Sequence, residues 1–264
     1  MHVLFLTENF PPETNASATR VSERAQYWIK WGYQITIITS APNFPHGKLF
    51  EGYQNRWRSV ELEDGLRIVR VKTFIAPNKG AFYRILDFIS FMISALLIGV
   101  FEKRADVVVA TSPQFFAAVG GWLLSLFHRA PFVFELGDLW PASIVAVGAM
   151  RQSPIISLIE KLELFLYRRS AAVVALTNSF KENLILRNIA GSKIAVIKNG
   201  VDLPKYSPRA RDRKLERDWG VEGKFTIGYV GTHGMAHNLN NVLDAASKLR
   251  EIPKINFVFV GAGA

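Results

Sequence analysis

An α/β fold built on parallel strands is predicted by three features of the chain. Short apolar runs rich in β-branched residues alternate with longer segments of helical period. The strand-like runs are apolar throughout instead of alternating, the pattern of a sheet covered on both faces. Glycine, proline and asparagine mark the junctions between the two kinds of segment.

The elements follow in order. His2–Leu6 reads as a buried strand, Ala16–Trp31 as a helix stopped by Gly32, and Gln34–Thr39 as a second strand. Ala41–Tyr53 carries Pro42, Pro45, Gly47 and Gly52 and reads as a loop. Ser59–Glu63 and Leu66–Lys72 flank Asp64-Gly65, a two-residue hairpin signal. Helices from about Ala81, over Phe115–Phe127, Ile155–Arg169 and Phe180–Arg187 are followed by strands at Val107–Ala110, Phe132–Glu135, Ala172–Ala175 and Ile194–Ile197. Strands separated by helices imply βαβ units with right-handed crossovers.

Leu203–Gly223 has no apolar periodicity and concentrates basic residues, so it reads as a solvated linker with a short helix. The grammar restarts with a strand at Phe225–Val230, a turn at Gly231–Gly234, a helix at Leu239–Arg250 and a strand at Ile255–Val260. The expected organisation is a first domain over residues 1–203, a linker over 204–223 and the beginning of a second domain over 224–264. Two strands and one helix cannot cover a sheet on both faces, so the second domain reads as incomplete.

Of the 264 residues, 49% are apolar and 20% charged, which is the composition of a globular chain and excludes disorder. No cysteine is present, so disulfide and thiolate chemistry are excluded and a cytoplasmic setting is permitted. The net charge of +10 fits an anionic substrate, an anionic membrane face or nucleic acid. Because the charge is dispersed and no nucleic-acid motif is present, nucleic acid is not expected as a partner. Met1 leads directly into apolar residues with no basic segment before them, so no signal peptide is expected. Phe88–Phe101 is uncharged but shorter than the roughly 18–20 residues that span a bilayer. It reads as a buried helix or as a segment lying in the membrane interface.

In open α/β sheets, ligands bind outside the carboxyl ends of the strands, so the chemistry is sought in the loops there. After the first strand, Asn15 or Ser17 caps the next helix, leaving its amides facing an anion or simply closing the helix. The G-x-G-x-x-G fingerprint of dinucleotide enzymes is absent from this turn. After Phe132–Glu135, Gly137 and Asp138 form a plausible site group next to Trp140, with a helix cap and a core aromatic as the structural alternative. Asn199-Gly200 reads as a turn. In the second domain, Gly231, Thr232, His233 and Gly234 lead from a strand to a helix, where glycine backbone and the side chains of His233 and His237 suit a diphosphate. The two histidines lack an intervening acid and a third ligand, so no metal site is expected.

Seven motifs in order carry a resemblance: NFPPE, APNFPHG, ATSP at Ala110–Pro113, DLWP at Asp138–Pro141, ALTNSF at Ala175–Phe180, KNGVD at Lys198–Asp202 and GYVGTHGMAH at Gly228–His237. Together they resemble the family 4 retaining glycosyltransferases of the GT-B fold, most similar to those of bacterial O-antigen, capsule and colanic-acid-type assembly. The resemblance covers essentially the whole chain and implies two Rossmann-like domains. It implies a hexosyltransferase-type transfer with retention and without a metal or cofactor, the nucleotide-sugar being a substrate. The donor would be held by Gly231, Thr232, His233, Gly234 and His237, and the acceptor, a lipid-linked saccharide, by the first domain. There Asp138 would take the acceptor proton, with Asn15, Ser17, Arg20 and Glu135 around it.

Three departures from the family pattern stand out. Asn15-Ala16-Ser17-Ala18 stands where many relatives carry Gly-Gly, and Thr232, His233 and His237 where many carry Arg and Lys. The family's paired-glutamate motif would lie beyond residue 264. The resemblance also implies work at the inner face of the cytoplasmic membrane, with the protein peripheral to it. Alternatives at this stage are a GT-B nucleotide-sugar epimerase and a non-catalytic fragment.

Overall fold

The computed structural model describes the chain except residues 76–80, 113, 147, 149–150, 205, 235–236 and 262–264, and except the side chains of residues 81, 82 and 144. Pro113 of the ATSP motif, two residues of GYVGTHGMAH (Met235 and Ala236) and the last three residues therefore lie outside the described residues.

The described chain divides into two compact units, one reaching Gly200 and one beginning at Val201. In the first, eight strands form one sheet: β1 (His2–Leu6), β2 (Gln34–Ser40), β3 (Arg58–Glu63), β4 (Leu66–Val71), β5 (Val107–Thr111), β6 (Phe132–Leu136), β7 (Ala172–Ala175) and β8 (Ile194–Val196). Their order is β3-β4-β2-β1-β5-β6-β7-β8. All neighbours pair parallel except β3, which runs antiparallel to β4 at the edge. That exception is the expected hairpin. Asp64 and Gly65 both take positive φ, 47° and 83°, as a tight two-residue turn between strands requires.

The helices are α1 (Ala16–Lys30), α2 (Ala81–Gly99), α3 (Phe115–His128), α4 (Ala142–Ala146), α5 (Pro154–Arg169) and α6 (Asn178–Leu186). Right-handed crossovers decide which face each covers. From β1, α1 runs outward to β2, whereas α2 returns from β4 to β5 and α3 and α5 continue that direction, so α1 lies on one face and the others on the opposite face. Strand alternation matches this. Val3 and Phe5 of β1 pack with Val21 and Ala25 of α1, while Leu4 and Leu6 pack with Phe91 and Ala95 of α2 and with α3.

Helix ends follow local chemistry. Asn15 caps α1 with its side-chain oxygen 2.9 Å from the Ala18 amide. Ser153 and Thr177 do the same for α5 and α6. The short α4 is too brief to show a period in the sequence. Neither Asn199 nor Gly200 has positive φ, so this pair is not the turn its composition favours.

The second unit holds α7 (Arg213–Asp218), capped by Asp212, then β9 (Phe225–Val230), α8 (Leu239–Lys248) and β10 (Ile255–Val260). β9 and β10 pair in parallel, so this unit too is a βαβ arrangement. The six residues of α7 lie inside the segment read from sequence as a linker.

Candidate functional site

The carboxyl ends of β1, β2 and β4 bring together a group that the sequence did not single out. The loop after β1 is latched onto β2: the Glu8 carbonyl accepts from the Ser40 amide at 3.1 Å and from the Thr39 and Ser40 hydroxyls at 2.8 Å each. Glu13, 2% exposed, accepts from the Asn43 and Phe44 amides at 2.7 and 2.8 Å and from the Asn9 side chain at 2.8 Å. Three N–H donors thus replace the water its carboxylate gives up. From β4, Arg70 reaches the Pro11 carbonyl at 2.7 Å and pairs with Glu61 at 2.7 Å.

Two further carboxyls face this loop. Burial, with Asp87 and Glu13 nearby, pushes the Glu8 carboxyl well above the usual range, and Arg84 offsets only part of this. Burial pushes Asp87 of α2 up to about 6, with Glu13 adding to the rise and the Thr73 hydroxyl and Arg84 opposing it. Asp87 Oδ1 and Thr73 Oγ1 are both buried without an aligned hydrogen-bond partner.

The ends of β5 and β6 are organised differently. Glu135, 1% exposed, is clamped by Arg24 at 2.6 Å and by Arg20 at 3.1 Å, the latter a close ion pair without an aligned hydrogen bond. Arg20 also donates to the Thr111 hydroxyl at 2.9 Å. Burial lowers the Arg20 pKa, Glu135 opposes that shift and Arg24 adds to it. The Ser112 hydroxyl accepts from the Gly137 amide at 2.9 Å, joining the two strand ends. A Cβ at Gly137 would collide with the Ser112 carbonyl oxygen and lie 3.0 Å from the Arg20 guanidinium. Only glycine allows this approach.

Asp138 follows, half-buried, its Oδ2 accepting from the Ser143 hydroxyl at 2.8 Å. Trp140 stacks on Phe115 with ring centroids 5.2 Å apart and belongs to the core.

The expected site residues therefore stand as follows. Arg20, Glu135 and Asp138 lie at the ends of β5 and β6, and Arg20 and Glu135 touch. Asn15 is the helix cap and Ser17 lies in the first turn of α1, one turn before Arg20; the buried Asn15 Nδ2 has no partner. Glu135 gives its oxygens to arginines, so it anchors α1 to β6 instead of facing a ligand. Glu8, Glu13, Arg70 and Asp87 went unread as a group because the contacts that bring the loops together, Glu13 to the Asn43 amide and Arg70 to the Pro11 carbonyl, cross tens of residues, where no local pattern reaches.

In the second unit, Gly231 hydrogen-bonds Val260 across the sheet at 2.9 Å, and the Tyr229 hydroxyl donates to the Thr232 carbonyl at 2.8 Å. The rings of His233 and His237 lie 5.8 and 6.0 Å from that of Tyr229, and His233 Nε2 is buried without a partner. Asn238 precedes α8 in a left-handed conformation and makes no side-chain cap, so the first amides of α8 are not taken up by that side chain. Among the described residues, no three His, Cys, Asp or Glu side chains are grouped to hold a metal ion.

The family model for Glycosyltransferase Family 4 matches residues 17–205, from the first turn of α1 past the end of β8. The chain belongs to Glycosyltransferase Family 4. Among curated proteins it is similar to the putative colanic acid biosynthesis glycosyl transferase WcaI of Escherichia coli K12, at 22% identity over all of this chain and 66% of that protein. It is similar also to the GDP-mannose-dependent alpha-mannosyltransferase of Mycolicibacterium smegmatis, at 23% identity over 88% of this chain and 56% of that protein. The chain thus spans between about half and two thirds of the length of these relatives. Its fold matches Anabaena HepE, solved with UDP-glucose, at a TM-score of 0.60 and 13% identity over 98% of this chain and 69% of that one. It matches the catalytic domain of Arabidopsis thaliana starch synthase IV, solved with ADP and acarbose, at 0.67 and 14% over 99% and 68%. The fold is that of the GT-B glycosyltransferases.

Proposed function

We propose that this chain supplies the acceptor-side unit and part of the donor-side unit of a retaining, metal-independent glycosyltransferase. It moves a sugar from a nucleotide-sugar to a lipid-linked saccharide in surface-polysaccharide assembly, working as a peripheral protein at the inner face of the cytoplasmic membrane. The similarity to a GDP-mannose-dependent alpha-mannosyltransferase supports the donor class, and the similarity to the colanic acid glycosyl transferase WcaI supports the polysaccharide setting. The observation that carries the reading is Asp138, a carboxylate at a strand's carboxyl end with one oxygen held by Ser143 and the other taking no hydrogen bond from the described residues.

In this reaction the bond from the donor's anomeric carbon to the diphosphate breaks, and a bond forms from that carbon to the acceptor oxygen. The acceptor hydroxyl gives its proton to Asp138 Oδ1, a group held in place by Ser143. The departing diphosphate gains negative charge, which the Gly231–Gly234 backbone, the first amides of α8, His233 and His237 stabilise. Transfer then depends on placement and electrostatics more than on a covalent nucleophile.

The test is to incubate the full-length parent protein with a panel of nucleotide-sugars and polyprenyl-diphosphate-linked sugars. Transfer from one donor to a lipid-linked acceptor with retained anomeric configuration is expected. Absence of transfer with every donor, together with absence of nucleotide binding, overturns the reading.

A further inference from the structure

The side of the first unit away from α1 has an unusual surface. On α2 the residues spaced by four, Ile85, Ile89, Ile93 and Leu97, with Phe101 just beyond the helix, form one outward stripe. Ile93, Leu97 and Phe101 are 47%, 55% and 87% exposed. On α3 the outward positions are Phe116, Val119, Leu123, Leu126 and Phe127, and the last two are 57% and 61% exposed.

The two stripes are neighbours. The Gln114 side chain at the start of α3 donates to the Phe88 carbonyl two turns into α2 at 3.4 Å, and His128 Nε2 at the end of α3 donates to the Gly99 carbonyl at the end of α2 at 3.0 Å. His128 Nδ1 accepts from the Ala105 amide, which fixes that tautomer. The helices therefore run side by side and expose one continuous apolar face. By contrast, the outer positions of α1 are mostly polar: Ser22, Glu23 and Gln26 are partly exposed and Lys30 is exposed, beside the exposed ring of Tyr27. An outer helix face without polar residues marks an interaction surface.

Charge indicates what covers it. From Phe88 to Phe134 the charged residues are Glu102, Lys103, Arg104, Asp106 and Arg129. Both acids are engaged: Glu102 is buried between Arg58 and Arg67, and Asp106 accepts from the His2 amide at 2.7 Å. Lys103, Arg104 and Arg129 are exposed at the carboxyl ends of the two helices. Cations complement helix carboxyl ends, which accounts for their placement but not for the apolar face beside them. No helix among the described residues is long and apolar enough to cross a membrane.

We infer that the outward faces of α2 and α3 dock in the plane of an anionic lipid surface, with Lys103, Arg104 and Arg129 against the headgroups. This rests on the reading above that the acceptor is membrane-borne, and it assigns the docking to α2 and α3 together, beyond the segment Phe88–Phe101 alone.

The test uses flotation with vesicles of phosphatidylcholine alone and of phosphatidylcholine with phosphatidylglycerol, in the absence of any sugar nucleotide. At least tenfold more binding to the anionic vesicles is expected. Either Lys103→Gln/Arg104→Gln/Arg129→Gln or Leu97→Ser/Phe127→Ser should reduce it at least tenfold while the melting temperature changes little, because these side chains are exposed. Because the chain has no cysteine, Leu97→Cys carries a single environment-sensitive label. Its emission should shift to the blue only with anionic vesicles, while the same label at Glu23→Cys on α1 should not respond.

Unchanged binding by both variants, or equal binding to neutral vesicles, overturns the inference. So does a vesicle-free shift of the Leu97→Cys label: one that grows with protein concentration assigns the face to a second copy, and one independent of concentration in the full-length parent assigns it to another part of the same chain. Nucleotide binding, measured without vesicles, reports on the glycosyltransferase reading independently.

Discussion

At the ends of β1 and β2, the buried Glu13 carboxylate is held by two backbone amides and an asparagine, whereas at the end of β6 the equally buried Glu135 is held by two guanidiniums. Amides fix backbone shape, so Glu13 sets the conformation of two loops against each other. Guanidiniums fix position and charge, so Glu135 ties α1 to β6 and holds Arg20 at the strand ends. The surroundings differ in sign as well. Glu8, Glu13 and Asp87 face Arg84 on the β1 side, while Arg20 and Arg24 face Glu135 on the β6 side. The same element of a parallel sheet thus carries excess negative charge at one place and excess positive charge at the other.

This comparison breaks most visibly at Glu135, and the expected effects below descend in cost to stability. Glu135→Ala leaves two guanidiniums together without their counter-ion, which typically costs about 3–5 kcal/mol. Urea unfolding of this variant should show a large fall in midpoint, and an unchanged midpoint would mean that the arginines find other partners. Glu13→Ala leaves the Asn43 and Phe44 amides unpaired but removes no counter-ion, so a smaller loss of about 2–3 kcal/mol is expected. Proteolysis should then cut first in the loop after β2, a local signature that Glu135→Ala should lack.

The acidic side also makes a pH prediction. Asp87 titrates near 6 in the folded protein against an ordinary value of 3.8. The native state therefore binds more protons than the unfolded state between these values, and stability falls as pH rises through that window. The expected loss is about 1–3 kcal/mol between pH 4 and 7 from this group, with the neighbouring Glu8 carboxyl, also raised by burial, extending it upward. In Asp87→Asn, the slope of melting temperature against pH should flatten. An unchanged slope would assign the effect to Glu8 alone.

What could be read in advance follows from range. The strands are apolar because both faces of the sheet are covered, and that is a local property of each segment. The hairpin at Asp64-Gly65 and the cap at Asn15 are decided within four residues. Arg20 and Glu135 were each expected at the site, but their contact, with Arg24 beside it, spans more than a hundred residues and is made only by the fold. Arg70 and Pro11 are likewise joined only by the fold. The apolar segment Phe88–Phe101 was legible as a run, but its outward stripe was not, because a run apolar on all sides does not say which side is covered.

The smallest expected effect on stability is at Asp138, where the largest effect on chemistry is expected. Its carboxylate accepts a single hydroxyl, from Ser143, and lies half-buried. Asp138→Asn keeps the shape and retains one oxygen to accept that hydrogen bond, so the cost to stability should stay below about 1 kcal/mol. The variant loses the ability to take a proton. General-base assistance is typically worth about 10²–10⁴ in rate. In the full-length enzyme, turnover should therefore fall at least about tenfold while the melting temperature hardly moves, opposite to the pattern for Glu135→Ala. Ser143→Ala separates position from proton transfer: it frees Oδ2 without removing the base, so turnover should fall less than in Asp138→Asn. Near-normal turnover in Asp138→Asn would leave the Ser143 hydrogen bond as the residue's purpose and shift the search for the proton acceptor to the acidic side, where Glu8 and Asp87 already hold protons more tightly than ordinary carboxylates.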